Sequence, residues 1–155
     1  MNRWLAWTLV ALQFVLLIAL AVVPGGNLWS RSTGVLIGVG ALALTAVAIG
    51  IAAGLRLGKN LTPSPIPREQ GTLETSGLYR VVRHPIYTAL LLGGAALAAW
   101  GSSWLHLVLY LLLVMLLGIK ARAEERLLLA RFPEYREYQS RTGRFFPGVG
   151  RVRGR

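Results

Sequence analysis

The run Arg83-His84-Pro85-Ile86-Tyr87 places one of the chain's two histidines between an arginine and a tyrosine, directly ahead of an apolar stretch. A second charged run, Arg122-Ala123-Glu124-Glu125-Arg126, follows the next apolar stretch. Residues of these types bind ionic ligands: carboxylates pair with an ammonium or accept from sugar hydroxyls, and arginines grip a carboxylate. His84 and the two glutamates are also the only nearby groups able to remove a proton. Polar groups at the mouth of a membrane segment are costly to keep unless they bind something. The plainer alternative makes Lys120, Arg122, Glu124 and Arg126 i,i+4 neighbours on a wet helix face. For His84 the corresponding alternative is a capping role ahead of Pro85.

The elements that must position these runs are apolar. The chain has 155 residues, 54% of them hydrophobic and 15% charged, against roughly 25% charged in a soluble domain. Its mean hydropathy is +0.54. A net charge of +11 would suit nucleic acid, but the basic residues fall between and after apolar blocks and form no single soluble face, which argues against that partner. The absence of cysteine removes disulfides, thiolate metal sites and a cysteine nucleophile. With only two distant histidines, His84 and His106, no zinc or iron site is expected.

Four apolar blocks organise the chain. Trp4 to Val23 is long enough to cross a hydrocarbon core of about 30 Å. Ala19-Leu20-Ala21 resembles a signal-peptidase site, but the run exceeds the roughly 7–15 apolar residues of a signal peptide, so it reads as a span. Pro24-Gly25-Gly26-Asn27 ends it. Gly34 to Leu55 is uncharged and carries the Gly34/Gly38 and Gly50/Gly54 pairs, spacings suited to close helix approach in lipid and to a possible homodimer. They make no dinucleotide fingerprint, since no strand precedes them. Ile86–Trp100 and Trp104–Gly118, joined by Gly101-Ser102-Ser103, form a short helical hairpin with tryptophans bracketing its turn.

Between the second and third blocks, the proline-rich segment around Asn60–Pro67 is expected to be extended, within a loop that folds over a site. Lys120 to Thr142 reads as an amphipathic surface region in which Pro133 opens a new short helix and Tyr135 and Tyr138 serve as interfacial anchors. His106 reads as a packed histidine, and the tail from Arg151 as disordered. With an N-terminus inside, every lysine and arginine except Arg31 and all six glutamates fall on one side, as the positive-inside rule requires. The expected fold is an all-α integral membrane protein of about four transmembrane helices, both termini cytoplasmic, plus a C-terminal amphipathic helical region. It forms a single domain, with two spans in 1–56 and the polar core in 57–155.

The ordered set Gly77-Leu78-Tyr79, Arg83-His84-Pro85-x-Tyr87, a hairpin, Arg122-x-Glu124-Glu125, Phe132-x-Glu134-Tyr135-x-x-Tyr138 and Arg144-x-x-Pro147 resembles the isoprenylcysteine carboxyl methyltransferase family. That family is related to membrane phospholipid N-methyltransferases. The match covers residues 71–148. The resemblance implies a membrane enzyme using S-adenosylmethionine, with Tyr79, His84, Pro85, Tyr87, Glu124 and Glu125 in the cofactor pocket. It makes Arg83, Arg122 and Arg144 the candidates for binding an anion at the reaction centre, and so points to a carboxylate acceptor. Only two apolar blocks precede the motif, as in short prokaryotic members, which implies an inner-membrane location with the site facing the cytoplasm. The partners so implied are the lipid bilayer and a small lipophilic or prenylated substrate. Amine N-methylation, an NADPH-dependent sterol-reductase-like activity and a non-catalytic accessory role are the alternatives.

Overall fold

The computed structural model describes residues 2–64, 66 and 71–152. Most of the proline-rich segment's second half and the last residues of the basic tail lie outside them. Five α-helices account for most of the rest: α1 (Arg3–Val22), α2 (Thr33–Leu57), α3 (Pro85–Gly101), α4 (Trp104–Arg131) and α5 (Tyr135–Arg141). Each start has a local cause. Asn2 caps α1, Ser32 caps α2 and Ser103 caps α4, each side chain accepting from an early backbone N–H. Pro85 opens α3 at its first turn, where its missing N–H costs nothing. The His84 side chain makes no capping hydrogen bond, which leaves its ring for other partners.

The first four helices alternate in direction, and α2 packs most extensively on α3 while α1 packs on α4. Gly50 of α2 meets Ala89, and Ala46 meets Gly93, so small residues let these two backbones close up. Gly38 and Gly54 face open space. The bundle's apolar centre is Leu20, Tyr87, Leu91, Ala98, Leu113, Leu117 and Ala121. Large apolar residues such as Ile37, Leu44, Ile51 and Leu55 are exposed along α2, an arrangement suited to lipid and hazardous in water. Trp100 and Trp104 are exposed at the hairpin turn, as expected for a headgroup boundary.

Three helices, α1, α2 with its short extension, and α4, are long and apolar enough to cross a membrane, whereas α3 has 17 residues. Of the about four spans expected, three therefore have the full length. The block expected to end at Gly118 also differs. α4 continues unbroken to Arg131, because Lys, Ala, Arg, Glu and Leu are strong helix formers and nothing interrupts them. Its 28 residues span about 42 Å, so its charged last turns extend past a hydrocarbon core of about 30 Å.

At the end opposite the charged runs, the Gly25–Gly26 loop docks on the hairpin turn through Gly26 N–H to Gly101 O (2.8 Å) and Leu28 N–H to Ser102 O (2.9 Å). His106 is packed there, its Nδ1 2.7 Å from the Ser103 hydroxyl. A Cβ on Gly101 would stand 2.0 Å from the His106 ring. Gly101→Ala is accordingly expected to destabilise the protein by about 1–3 kcal/mol through overpacking, read as a lowered midpoint of thermal unfolding in detergent.

Candidate active site

The site is assembled by a strap. After α5, residues 142–150 turn back across the start of α3. Arg83 N–H donates to Gly143 O (2.8 Å) and His84 N–H to Arg144 O (3.1 Å), and the Thr88 hydroxyl donates to Phe145 O (2.7 Å). These bonds hold His84 at the mouth of the bundle, where its ring stacks on Tyr87 at 5.2 Å.

Beneath the strap lies a buried ionic network. Glu125 accepts from Arg83 Nε at 2.9 Å and from Arg144 Nε and Nη2 at 3.1 and 2.7 Å. His84 Nε2 stands 3.3 Å from the same carboxylate. The remaining Arg83 donors reach the carbonyls of Gln139 (3.2 Å), Thr142 and Gly150 (2.9 Å), and its side chain is wholly buried. Such a charge is tolerable because a carboxylate and three carbonyls surround it. Arg83, Arg144 and Glu125 thus tie α4, the start of α3 and the strap into one unit.

Glu124, one position along, has a different task. One of its oxygens accepts from the Tyr87 hydroxyl at 3.0 Å and lies 3.6 Å from His84 Nδ1. No hydrogen bond among the described residues engages the other oxygen. His84 therefore stands between a carboxylate that is fully occupied and one that is half free.

Two cavities meet at this point. The first, about 100 Å³, is the more polar of the two, with Asn60, Thr72, Glu74, Tyr135 and Tyr138 in its lining beside Leu73, Leu128 and Phe132. The second, about 330 Å³, runs under α1 and α3 and is largely apolar, with Phe14, Leu57, Ile86 and Leu90 in its walls. Tyr79, Arg83, His84 and Glu124 line both. Burial raises the hydroxyls of Tyr79, Tyr135 and Tyr138 above the usual phenol range, so they remain neutral donors. At the rim, hydrogen bonding from Ser76 holds the Glu74 carboxyl below its ordinary value.

The expected residues divide cleanly in space. Tyr79, His84, Tyr87 and Glu124 come together at the cavities, and Pro85 is fully buried as the first residue of α3. Glu125 is near but committed to its arginines. The three arginines expected to bind an anion, Arg83, Arg122 and Arg144, are not brought together. Two of them are engaged by Glu125, and Arg122 is exposed on another face of α4 beside Leu5, Leu9 and Arg126. Helical periodicity forces that separation, since positions 122 and 124 lie about 200° apart around the axis. Tyr135 and Tyr138 are not surface anchors: Tyr135 is 1% exposed, and the Tyr138 hydroxyl donates to Tyr79 O. Lys120, Gln13 and Glu74 were not singled out from the sequence. The only available signals were the polar position of Gln13 in an apolar span and the i,i+4 spacing of Lys120 to Glu124.

Fold and site together define a helical integral membrane protein built around a charged pocket at one end of its bundle. Residues 33–134 match the phospholipid methyltransferase family, and the chain belongs to it. Over 88 residues it is 41% identical to the cobalt-zinc-cadmium resistance protein CzcN of Cupriavidus metallidurans, covering 56% of this chain and 41% of that protein. Over 142 residues it is 31% identical to the nickel-cobalt-cadmium resistance protein NccN of Alcaligenes xylosoxydans xylosoxydans, covering 90% of this chain and 63% of that one. The chain thus spans less than two thirds of the length of either relative. Among the described residues no group of three or more His, Cys, Asp or Glu is placed to hold a metal ion.

Proposed function

We propose that the protein is an S-adenosylmethionine-dependent methyltransferase acting on a lipid-like acceptor that enters from the bilayer. The observation that carries this reading is the pair of cavities, one more polar than the other, sharing the wall formed by Tyr79, His84 and Glu124. Transfer between two bound molecules depends on holding them in line across such a wall.

The polar side suits the cofactor chemically. The Tyr135 hydroxyl is buried and has no hydrogen-bond partner among the described residues, which a ligand acceptor atom would relieve. Glu124 has an oxygen free for an ammonium or a ribose hydroxyl, and Asn60, Thr72 and Tyr138 add neutral polar groups. At about 100 Å³ this side is smaller than the roughly 300–1,000 Å³ of small-molecule sites, so occupation requires the Gly71–Glu74 wall to move outward. When bound, S-adenosylmethionine supplies an electrophilic methyl group on sulfur. The chain's own residues orient the reactants and exclude water, and His84, between Glu124 and Glu125, is the group able to take a proton if the acceptor carries one.

The remaining expectations belong to the same reading. α3, extended by its flanks, completes four crossings. The skewed distribution of basic residues supports a site end facing the cytoplasm. The names of the two relatives support a physiological setting in which the methylation assists metal resistance.

Titrating S-adenosylhomocysteine into the detergent-purified chain, with NADPH in parallel, tests the proposal by calorimetry. Binding on the order of micromolar is expected for the former and none for the latter. NADPH binding alone would replace the proposal with a reductase, and silence from both would leave a non-catalytic accessory protein.

A further inference from the structure

Lys120 is the charged group that the methyltransferase reading leaves unused. It lies on α4 with 1% of its surface exposed. Its ammonium donates to Gln13 Oε1 at 2.5 Å and to Pro63 O at 3.4 Å, and sits 5.4 Å from the centre of the Tyr87 ring. All three contacts are with neutral groups, and among the described residues Lys120 forms no ion pair. Gln13 is the only polar residue that α1 buries. A lysine held inside a membrane bundle by neutral partners is costly, and both residues face the apolar cavity.

We infer that Lys120, steadied by Gln13, selects the acceptor by binding an anionic head group. The argument is one of charge balance. Glu125 sets one negative charge against the two guanidiniums of Arg83 and Arg144, so that cluster keeps a positive charge, and Lys120 and Glu124 are left to offset each other across the cavity. A cationic cofactor on the polar side draws on Glu124. Lys120 then faces the apolar cavity as an uncompensated cation in a low-dielectric wall, where an anion is favoured and a second cation opposed. Phe14, Leu57, Ile86 and Leu90 receive the apolar tail. Phe14 and Leu61, 50% and 43% exposed, form the rim through which the tail leaves toward lipid. The ligand class is an amphiphile with an anionic head and an apolar tail. This rests on the methyltransferase reading for its second step, the engagement of Glu124, whereas the placement of Lys120 stands without it.

The test uses the full chain in detergent, with and without S-adenosylmethionine, and three radiolabelled probes sharing one tail: palmitate, palmitylamine and hexadecanol. Equilibrium binding should favour palmitate over palmitylamine by about tenfold or more, the scale of one charge-assisted contact. Lys120→Met should abolish that preference, while Lys120→Arg should keep it. Gln13→Glu places a carboxylate on the ammonium without removing the lysine, and should abolish the preference as well. Equal binding of all three probes by the native chain overturns the inference, as does a preference that survives both Lys120→Met and Gln13→Glu. A palmitate preference in a protein that never binds S-adenosylhomocysteine would support the lysine's role while refuting the methyltransferase reading.

Discussion

Replacing Glu125 with glutamine is expected to cost about 3–5 kcal/mol of folding stability, because it strands the buried Arg83 charge without its counter-ion. Glutamine has nearly the same shape as glutamate, so the loss is electrostatic and not a matter of packing. Arg83 keeps its three carbonyl partners in the variant, yet no carboxylate then balances it. Arg144 loses its bidentate grip, and the strap loses its anchor on α4. Thermal unfolding in detergent should show a large drop in midpoint, with protease sensitivity appearing first after Thr142. Adding Arg83→Met to Glu125→Gln should restore much of the loss, since removing both charges of a buried pair is far milder than removing one. A change below about 1 kcal/mol in the single variant would mean the network does not hold the strap, given how much a surface ion pair is worth.

Replacing Glu124 should have the opposite profile. Among the described residues its carboxylate meets Tyr87 and His84 and no hydrogen bond engages its other oxygen, and a glutamine can still accept from the tyrosine. The fold should survive Glu124→Gln with little change in unfolding midpoint. S-adenosylhomocysteine affinity should fall roughly ten- to hundred-fold, the worth of one hydrogen bond to a charged group. Methyl transfer to membrane lipids should fall at least as far. Native affinity and transfer in Glu124→Gln would remove this residue from the cofactor pocket.

The contrast between these adjacent glutamates explains how much of the protein was legible beforehand. Apolar length located four helices to within a residue or two at most ends, because hydrophobicity acts locally, and the caps Asn2, Ser32 and Ser103 lie just outside those runs. The single unbroken α4 was missed. A drop in hydropathy at Lys120 marks where a helix leaves lipid, and it says nothing about where a helix ends. Motif spacing placed His84, Tyr87 and Glu124 at one mouth of the bundle. It could not divide Glu124 from Glu125, or a free arginine from a paired one, because that division depends on which side of α4 each residue takes and on a strap more than fifty residues from Arg83. Lys120 and Gln13 were hidden for the same reason: their meeting joins helices 107 residues apart.

The strap also sets an order of events during biosynthesis. All four apolar helices precede residues 142–150 in the chain, and chains emerge at about 5–20 residues per second. Leu113 and Leu117 therefore reach the membrane before Gly143, Arg144 and Gly150 do. Until they arrive, Arg83 lacks a carbonyl partner, Glu125 lacks one of its arginines, and His84 has no backbone fixing it. The pocket is therefore armed last, after its lipid-facing walls are in place, and a nascent chain stalled short of the strap is inserted but inert.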